Sequence, residues 1–349
     1  MKKFSLLAGL LFPILLNSCA DPGEMPDESQ APTETDQFWS GGSFLSGVNY
    51  AWMNYGFDFG LPDGWGHHGV SNHQFRSLIQ RDFAELQSKG VRVVRWYLLG
   101  DCRAAPDFSM DGLVSGLDRY FFKDVDAAIE IARAHEISLI FVILDQTAAK
   151  DAEMAGKVQL GGRAGLVNDH ETKTSFIFHT LIPLFTRYAD EETILAWEIF
   201  SDPEAVTHMS ELEEDTGKPF SLEEMMAFIK EVVEVAHEHA TQPVTVGNVS
   251  VDWRKAWAKC GIDYLQIAYP HVNPKGDIQP VDSGLPVVVS MIPEEPEGTS
   301  AEALLNGVHT AGYSGGLVWR FRSLDDNTKP GESPEEVMDW LGKPRLIQK

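Results

Sequence analysis

Positive charge is scarce in this chain. Across 349 residues, 28 Lys and Arg stand against 52 Asp and Glu, a formal net charge of −24. A surface of that sign repels phosphate backbones and anionic lipid heads, so no nucleic-acid partner and no electrostatic membrane contact is expected. Cysteine is scarce too. Cys19, Cys102 and Cys260 are the only three, too few for a disulfide scaffold. No apolar run beyond the N-terminus is long enough to span a bilayer. No Gly-x-Gly-x-x-Gly follows the first strand candidate, and no phosphate loop or nucleophile elbow is present. A nucleotide cofactor and serine-hydrolase chemistry are therefore unsupported, and no cofactor is expected. What is abundant is apolar: 43% of residues are hydrophobic, enough for a large core. The length admits two ordinary domains or one barrel of the large α/β type.

The N-terminus reads as an address. Met1-Lys2-Lys3 is basic, and Phe4 to Leu16 is apolar but short and interrupted by Pro13. Leu16-Asn17-Ser18-Cys19 resembles the lipobox of bacterial lipoproteins. The resemblance implies a signal peptide over residues 1–18, a lipid on Cys19 and, with Ala20 next, an outer-membrane destination in the cell envelope. An ordinary secretory signal with an incidental Cys19 is the other reading. Residues 20–36 carry six acids, three prolines and no base. The span 19–36 is expected to be a solvated tether. Residues 37–349 then form one folded domain, expected to be monomeric and to meet the membrane only through its lipid.

Beyond the tether, β-branched apolar runs alternate with helix-period segments. The strand candidates are 44–52, 91–98, 137–145, 193–200, 243–248, 263–270, 285–291 and 315–321. Several are continuous apolar runs, as parallel strands buried on both faces require. Helices are expected near 71–89, 118–135, 172–189, 221–240, 252–259, 299–311 and 333–342. Ser221 and Glu224 form a capping box, and Gly90, Gly261 and Gly312 suit helix ends. The stretch 271–284 has no helix pattern. Eight such units predict a single-domain α/β (β/α)8 TIM barrel whose sixth crossover lacks a regular helix. A doubly wound sheet is the alternative. In a barrel Cys102 and Cys260 fall at opposite ends, so both are expected as free thiols.

Four strand ends carry a family resemblance. Gly47-Val48-Asn49-Tyr50 with Trp52, Gly90 to Arg95, Trp197 to Pro203, and Gly316-Leu317-Val318-Trp319 resemble, in order and spacing, the first, second, fourth and eighth strands of the clan-A glycoside hydrolases. These are the cellulase and β-mannanase superfamily. The resemblance covers most of residues 44–321. It implies a retaining mechanism with two carboxylates about 5–5.5 Å apart, one acid/base and one nucleophile.

The departures fall on those very positions. The family's Asn-Glu-Pro is Ser201-Asp202-Pro203 here, which puts a shorter acid, Asp202, at the acid/base position. The nucleophile position aligns with Met291, whose thioether can neither attack nor stabilise an oxocarbenium ion. Ala268 replaces the His of the sixth strand's His-x-Tyr. Glu294 and Glu295 are possible substitutes for the lost carboxylate. By the same resemblance Arg95, Ser201 and Trp319 are candidate sugar contacts. Trp52, Trp96 and Tyr269, at strand ends, suit a glycan cleft, since aromatic faces stack on sugar C–H faces, or else packing under the loops. Asp145, ending its strand at the mouth, suits a sugar contact and a loop cap equally. Arg95 equally suits a salt bridge with Glu198 or Asp145. Glu198 lies below the mouth and reads as a paired structural carboxylate, and Trp197 reads as core. His67, His68 and His73 have poor ligand spacing, so no metal is expected.

Residues 198–238 hold twelve acids and two lysines, which disfavours anionic polysaccharides and favours neutral ones. Three readings stay open. One is a surface-anchored pseudoenzyme that binds neutral oligo- or polysaccharide. Another is an active O-glycosyl hydrolase using Asp202 with a non-standard second carboxylate. The third is a structural lipoprotein without glycan affinity.

Overall fold

A computed structural model describes residues 44–61, 66–208, 217–273, 278–293, 301–319 and 321. Cys19, the signal peptide, the tether, Glu294, Glu295 and the helix expected at 333–342 lie outside the described residues.

Eight parallel strands close on themselves: β1 (Leu45–Asn49), β2 (Val93–Gly100), β3 (Ser138–Asp145), β4 (Ile194–Ser201), β5 (Val244–Val249), β6 (Tyr264–Ala268), β7 (Val287–Ile292) and β8 (Gly315–Val318). Each pairs with its neighbours in chain order, and β8 pairs with β1. The expected (β/α)8 barrel is therefore the fold. Helices α1 (His73–Ser88), α2 (Phe121–Ala134) and α3 (His170–Phe176) lie outside it, the last continuing as helix to Arg187. They are followed by α4 (Leu222–His239), α5 (Arg254–Ala258), a single turn α6 (Tyr269–Val272) and α7 (Ala301–Thr310). After α6 the described part of the sixth crossover holds no further helix, as its sequence implied. Ser221 caps α4 with its partner Glu224 in the reciprocal geometry.

The strands read as unbroken apolar runs because both faces are covered. Outward residues Trp96 and Trp197 sit under the helices, Trp197 against Phe185 with ring centroids 5.3 Å apart. Inward residues stack in layers. The lowest is apolar and joins Leu45, Val93, Ile140, Ala196, Tyr264, Val288 and Leu317. This plug closes the bottom of the barrel, so chemistry is confined to the C-terminal end. Cys102 and Cys260 are both free and buried.

The β1–α1 connection is pinned by two buried carboxylates. Asp58 accepts from the amides of Met53 and Asn54, both at 2.6 Å, and from the Trp96 indole at 2.8 Å. Asp124 accepts from the Gly60 and Ser71 amides and from the Ser71 hydroxyl. His67 also bonds Asp124, at 2.9 Å, and stacks on Tyr120.

Candidate functional site

Above the apolar plug lies a polar layer. Arg95 on β2 and Glu198 on β4 are fully buried and form a two-pronged pair, Nη2 to Oε1 at 2.5 Å and Nε to Oε2 at 2.7 Å. The remaining Arg95 donors go to Asn49 Oδ1 (2.9 Å), the Tyr97 hydroxyl (3.0 Å) and Ser201 Oγ (2.9 Å). Gln266 on β6 donates to Glu198 Oε2 at 2.8 Å. Burial pushes the Glu198 carboxyl up, and the guanidinium opposes that push. The pair fits because β5 has a glycine beside it. A Cβ on Gly247 would come within 1.8 Å of Glu198 Oε1. Glu198 is thus the paired structural carboxylate that the sequence suggested.

Above this layer, at the mouth, is a small pocket. It is lined by Trp52, Tyr97, Asp145, Gln146, Thr147, Asp202, Asn248, Met291 and Trp319. Three of these residues, at the ends of β4, β5 and β7, carry left-handed backbones: Asp202 at φ 55°, Asn248 at φ 57° and Met291 at φ 56°. The strand registers also shift there, between Thr245 and Gly247 against β4 and between Val289 and Ile292 against β8. Such irregularities re-aim side chains, and these three all line the mouth. Asn and Asp tolerate the left-handed region, whereas an unbranched apolar residue there is strained.

Within the pocket Asp202 Oδ2 accepts from Ser201 Oγ at 2.9 Å and from Asn248 Nδ2 at 2.9 Å. Asn248 Nδ2 also reaches Ser201 Oγ at 3.0 Å, and Asn248 Oδ1 accepts from Ser290 Oγ at 2.6 Å. Asp145 is paired across the sheet with Ser201 and lines the same pocket as Asp202. Asp145 accepts from the Thr147 amide at 2.6 Å and from the Thr147 hydroxyl. It caps the turn after β3 and lines the pocket at once. Burial pushes its carboxyl up to about 6, with the charges of Asp101 and Asp202 adding to the shift and the Thr147 bonds opposing it.

The structure therefore brings Trp52, Asp145, Asp202, Met291 and Trp319 together at one mouth. Four candidate sugar contacts are corrected. Trp96 is fully buried on the outer face of β2, bonded to Asp58 and packed edge-on against Tyr50. Side chains alternate along a strand, so with Arg95 facing in, Trp96 must face out. Arg95 has spent all five of its donors on protein. Ser201 is fully buried, and its hydroxyl serves Asp202. Tyr269 is also buried, its hydroxyl bonded to Asn273, away from the pocket lining. Sequence reasoning passed over Asn248 and Ser290, although both sit at strand ends.

The geometry has counterparts among known proteins. The barrel superposes on the β-mannanase of the blue mussel Mytilus edulis with a TM-score of 0.63 at 22% identity, over 85% of this chain and 90% of the other. It superposes on the endo-1,4-β-mannanase of Eisenia fetida with a TM-score of 0.67 at 18% identity, over 86% and 92%. The barrel is mannanase-like. In sequence, a mannan endo-1,4-beta-mannosidase of Mytilus edulis is 26% identical over 319 residues, covering 79% of this chain and 83% of the relative. A shorter match of the same description, from Cryptopygus antarcticus, is 24% identical over 171 residues. No family model matches. The likeness is thus to glycoside hydrolases, and within this mannanase-like frame the polar and aromatic groups named above mark the mouth as the candidate site.

Proposed function

We propose that this chain binds a neutral polysaccharide of the β-1,4-mannan class and has lost retaining hydrolysis. The observation that carries the proposal is the place of Met291. Its side chain lines the same pocket as Asp202 and Trp319. A retaining glycosidase needs a second carboxylate facing the first across the scissile bond. The thioether supplies neither charge nor nucleophile. Of the candidate sugar-facing aromatics Trp319 is partly exposed, whereas Trp52 is buried with its ring edge-on to Tyr97 at 5.5 Å. The substrate class rests on the relatives' mannanase activity together with the acidity around β4, which repels anionic glycans.

Asp145 gives the hydrolytic reading its one specific support, since it is a second carboxylate in the pocket. It belongs to the strand next to β4, however, and one of its oxygens is committed to Thr147. Acid and nucleophile, or acid and base, must flank the glycosidic bond.

The lipobox resemblance of residues 16–19 and the acidic tether support a lipid-anchored protein of the cell envelope, with the barrel held off the outer membrane. The experiment for the binding claim is affinity electrophoresis of the full chain in gels containing mannan, xylan, cellulose derivative or mixed-linkage glucan. Retardation in mannan is expected. Trp319→Ala should weaken it at least about tenfold by removing the stacking face. A wild-type protein that runs unretarded in all four polymers would exclude the proposal.

A further inference from the structure

Asn248 was invisible among the motifs and is central to the mouth. It sits one residue beyond Gly247, in a left-handed backbone that aims its amide across β4 and β7 at once. Its two amide ends are chemically fixed. The end facing the Asp202 carboxylate must donate, because an ionised carboxylate only accepts. That end also bonds Ser201. The other end must then be the carbonyl, and Ser290 supplies its donor. The chain Ser290–Asn248–Asp202 therefore has one consistent polarity.

Its consequence falls on Asp202. Two donors, Ser201 Oγ and Asn248 Nδ2, converge on Oδ2, and no bond to Oδ1 is recorded among the described residues. Asp202 is half-buried and lines the pocket. The carboxylate is thus held in one rotamer with one oxygen tied down and the other offered to the pocket. An acid/base catalyst must carry a proton and release it. A carboxylate locked in this way is arranged to accept a hydrogen bond from a ligand hydroxyl.

We infer that Asn248 is a positioning residue that fixes Asp202 as a hydrogen-bond acceptor for a sugar hydroxyl. The inference rests on the glycan-binding reading and deepens it. It assigns to β5 a polar group doing what Ser201 alone is too short to do from β4. The ligand feature recognised is a hydroxyl that can donate, carried on a ring lying near Trp319.

The test is titration of the full chain with a mannan oligosaccharide, following tryptophan fluorescence, for the wild type, Asn248→Ala, Asn248→Asp and Trp319→Ala. Asn248→Ala should weaken binding about tenfold, the effect of losing one charge-assisted hydrogen bond. Asn248→Asp keeps the size but sets a second carboxylate against Asp202, and it should weaken binding at least as much. In an Asp202→Ala background, Asn248→Ala should cost no further affinity, because Asn248 acts only through that carboxylate. A merely structural residue would cost the same in both backgrounds. Unchanged affinity in Asn248→Ala, or an equal loss in both backgrounds, would overturn the inference while leaving glycan binding intact. Absence of binding in the wild type would instead remove the underlying reading, and the inference with it.

Discussion

At the scale of single residues, a buried ion pair sits in the polar layer of the barrel. Arg95 and Glu198 are both fully enclosed, and their mutual bonds are supplemented by Asn49, Tyr97, Ser201 and Gln266. Removing one partner leaves an uncompensated buried charge. Glu198→Ala should therefore cost about 3–5 kcal/mol in urea unfolding. A cost below about 1 kcal/mol would mean that water already reaches this layer. Met291 is the other decisive residue. The double variant Met291→Glu with Asp202→Glu restores two carboxylates to the ends of β7 and β4. It should release reducing ends from mannan at a rate on the order of a hundredfold or more above wild type. Failure of a folded double variant to do so would place the lost chemistry elsewhere. Met291 and Asp202 were legible in the sequence because a motif names their positions. Asn248 was not, because its role comes from a bulge and a left-handed turn that bring three strands together. Trp96 was misjudged for a related reason: it was read as a strand end but lies within Val93–Gly100, and the face on which its side chain falls depends on a one-residue register.

The elements themselves were plain in the sequence. Continuous apolar runs marked the strands, and a capping box marked the start of α4. The first and last strand candidates overran at their C-terminal ends. The first was read to residue 52 and stops at Asn49, and the last was read to 321 and stops at Val318. The apolar pattern persists there because Trp52 and Trp319 pack at the mouth, after ladder pairing has ended. Connections carry their own signature in pH. Asp58, in the β1–α1 connection, and Asp145, after β3, are both pushed up to about 6, chiefly by burial. In the unfolded chain such groups titrate near about 3.9. The folded state then holds protons that the unfolded state has lost. These two groups lower stability as pH rises from about 4 to about 6, and their effect is level above that. The difference in thermal midpoint between wild type and Asp58→Asn should therefore change across that window and be constant from about pH 7 to 8. A difference independent of pH between about 4 and 6 would remove Asp58 from this account.

For the whole molecule, the acidity has a location. Twelve acids and two lysines lie in residues 198–238, from β4 into α4. This stretch begins in the strand that leads to Asp202, and its sign fits the proposal of a neutral glycan ligand. The barrel, its closed lower layer and its aromatic mouth follow from sequence periodicity. The proposed loss of turnover rests on two positions, Asp202 and Met291. The most direct test of that loss is release of reducing ends from soluble mannan by the wild-type full chain, measured at protein concentrations at which mannan retards it in the gel. The account predicts binding with no release above the spontaneous rate. Sustained release that disappears in Asp202→Ala would contradict it.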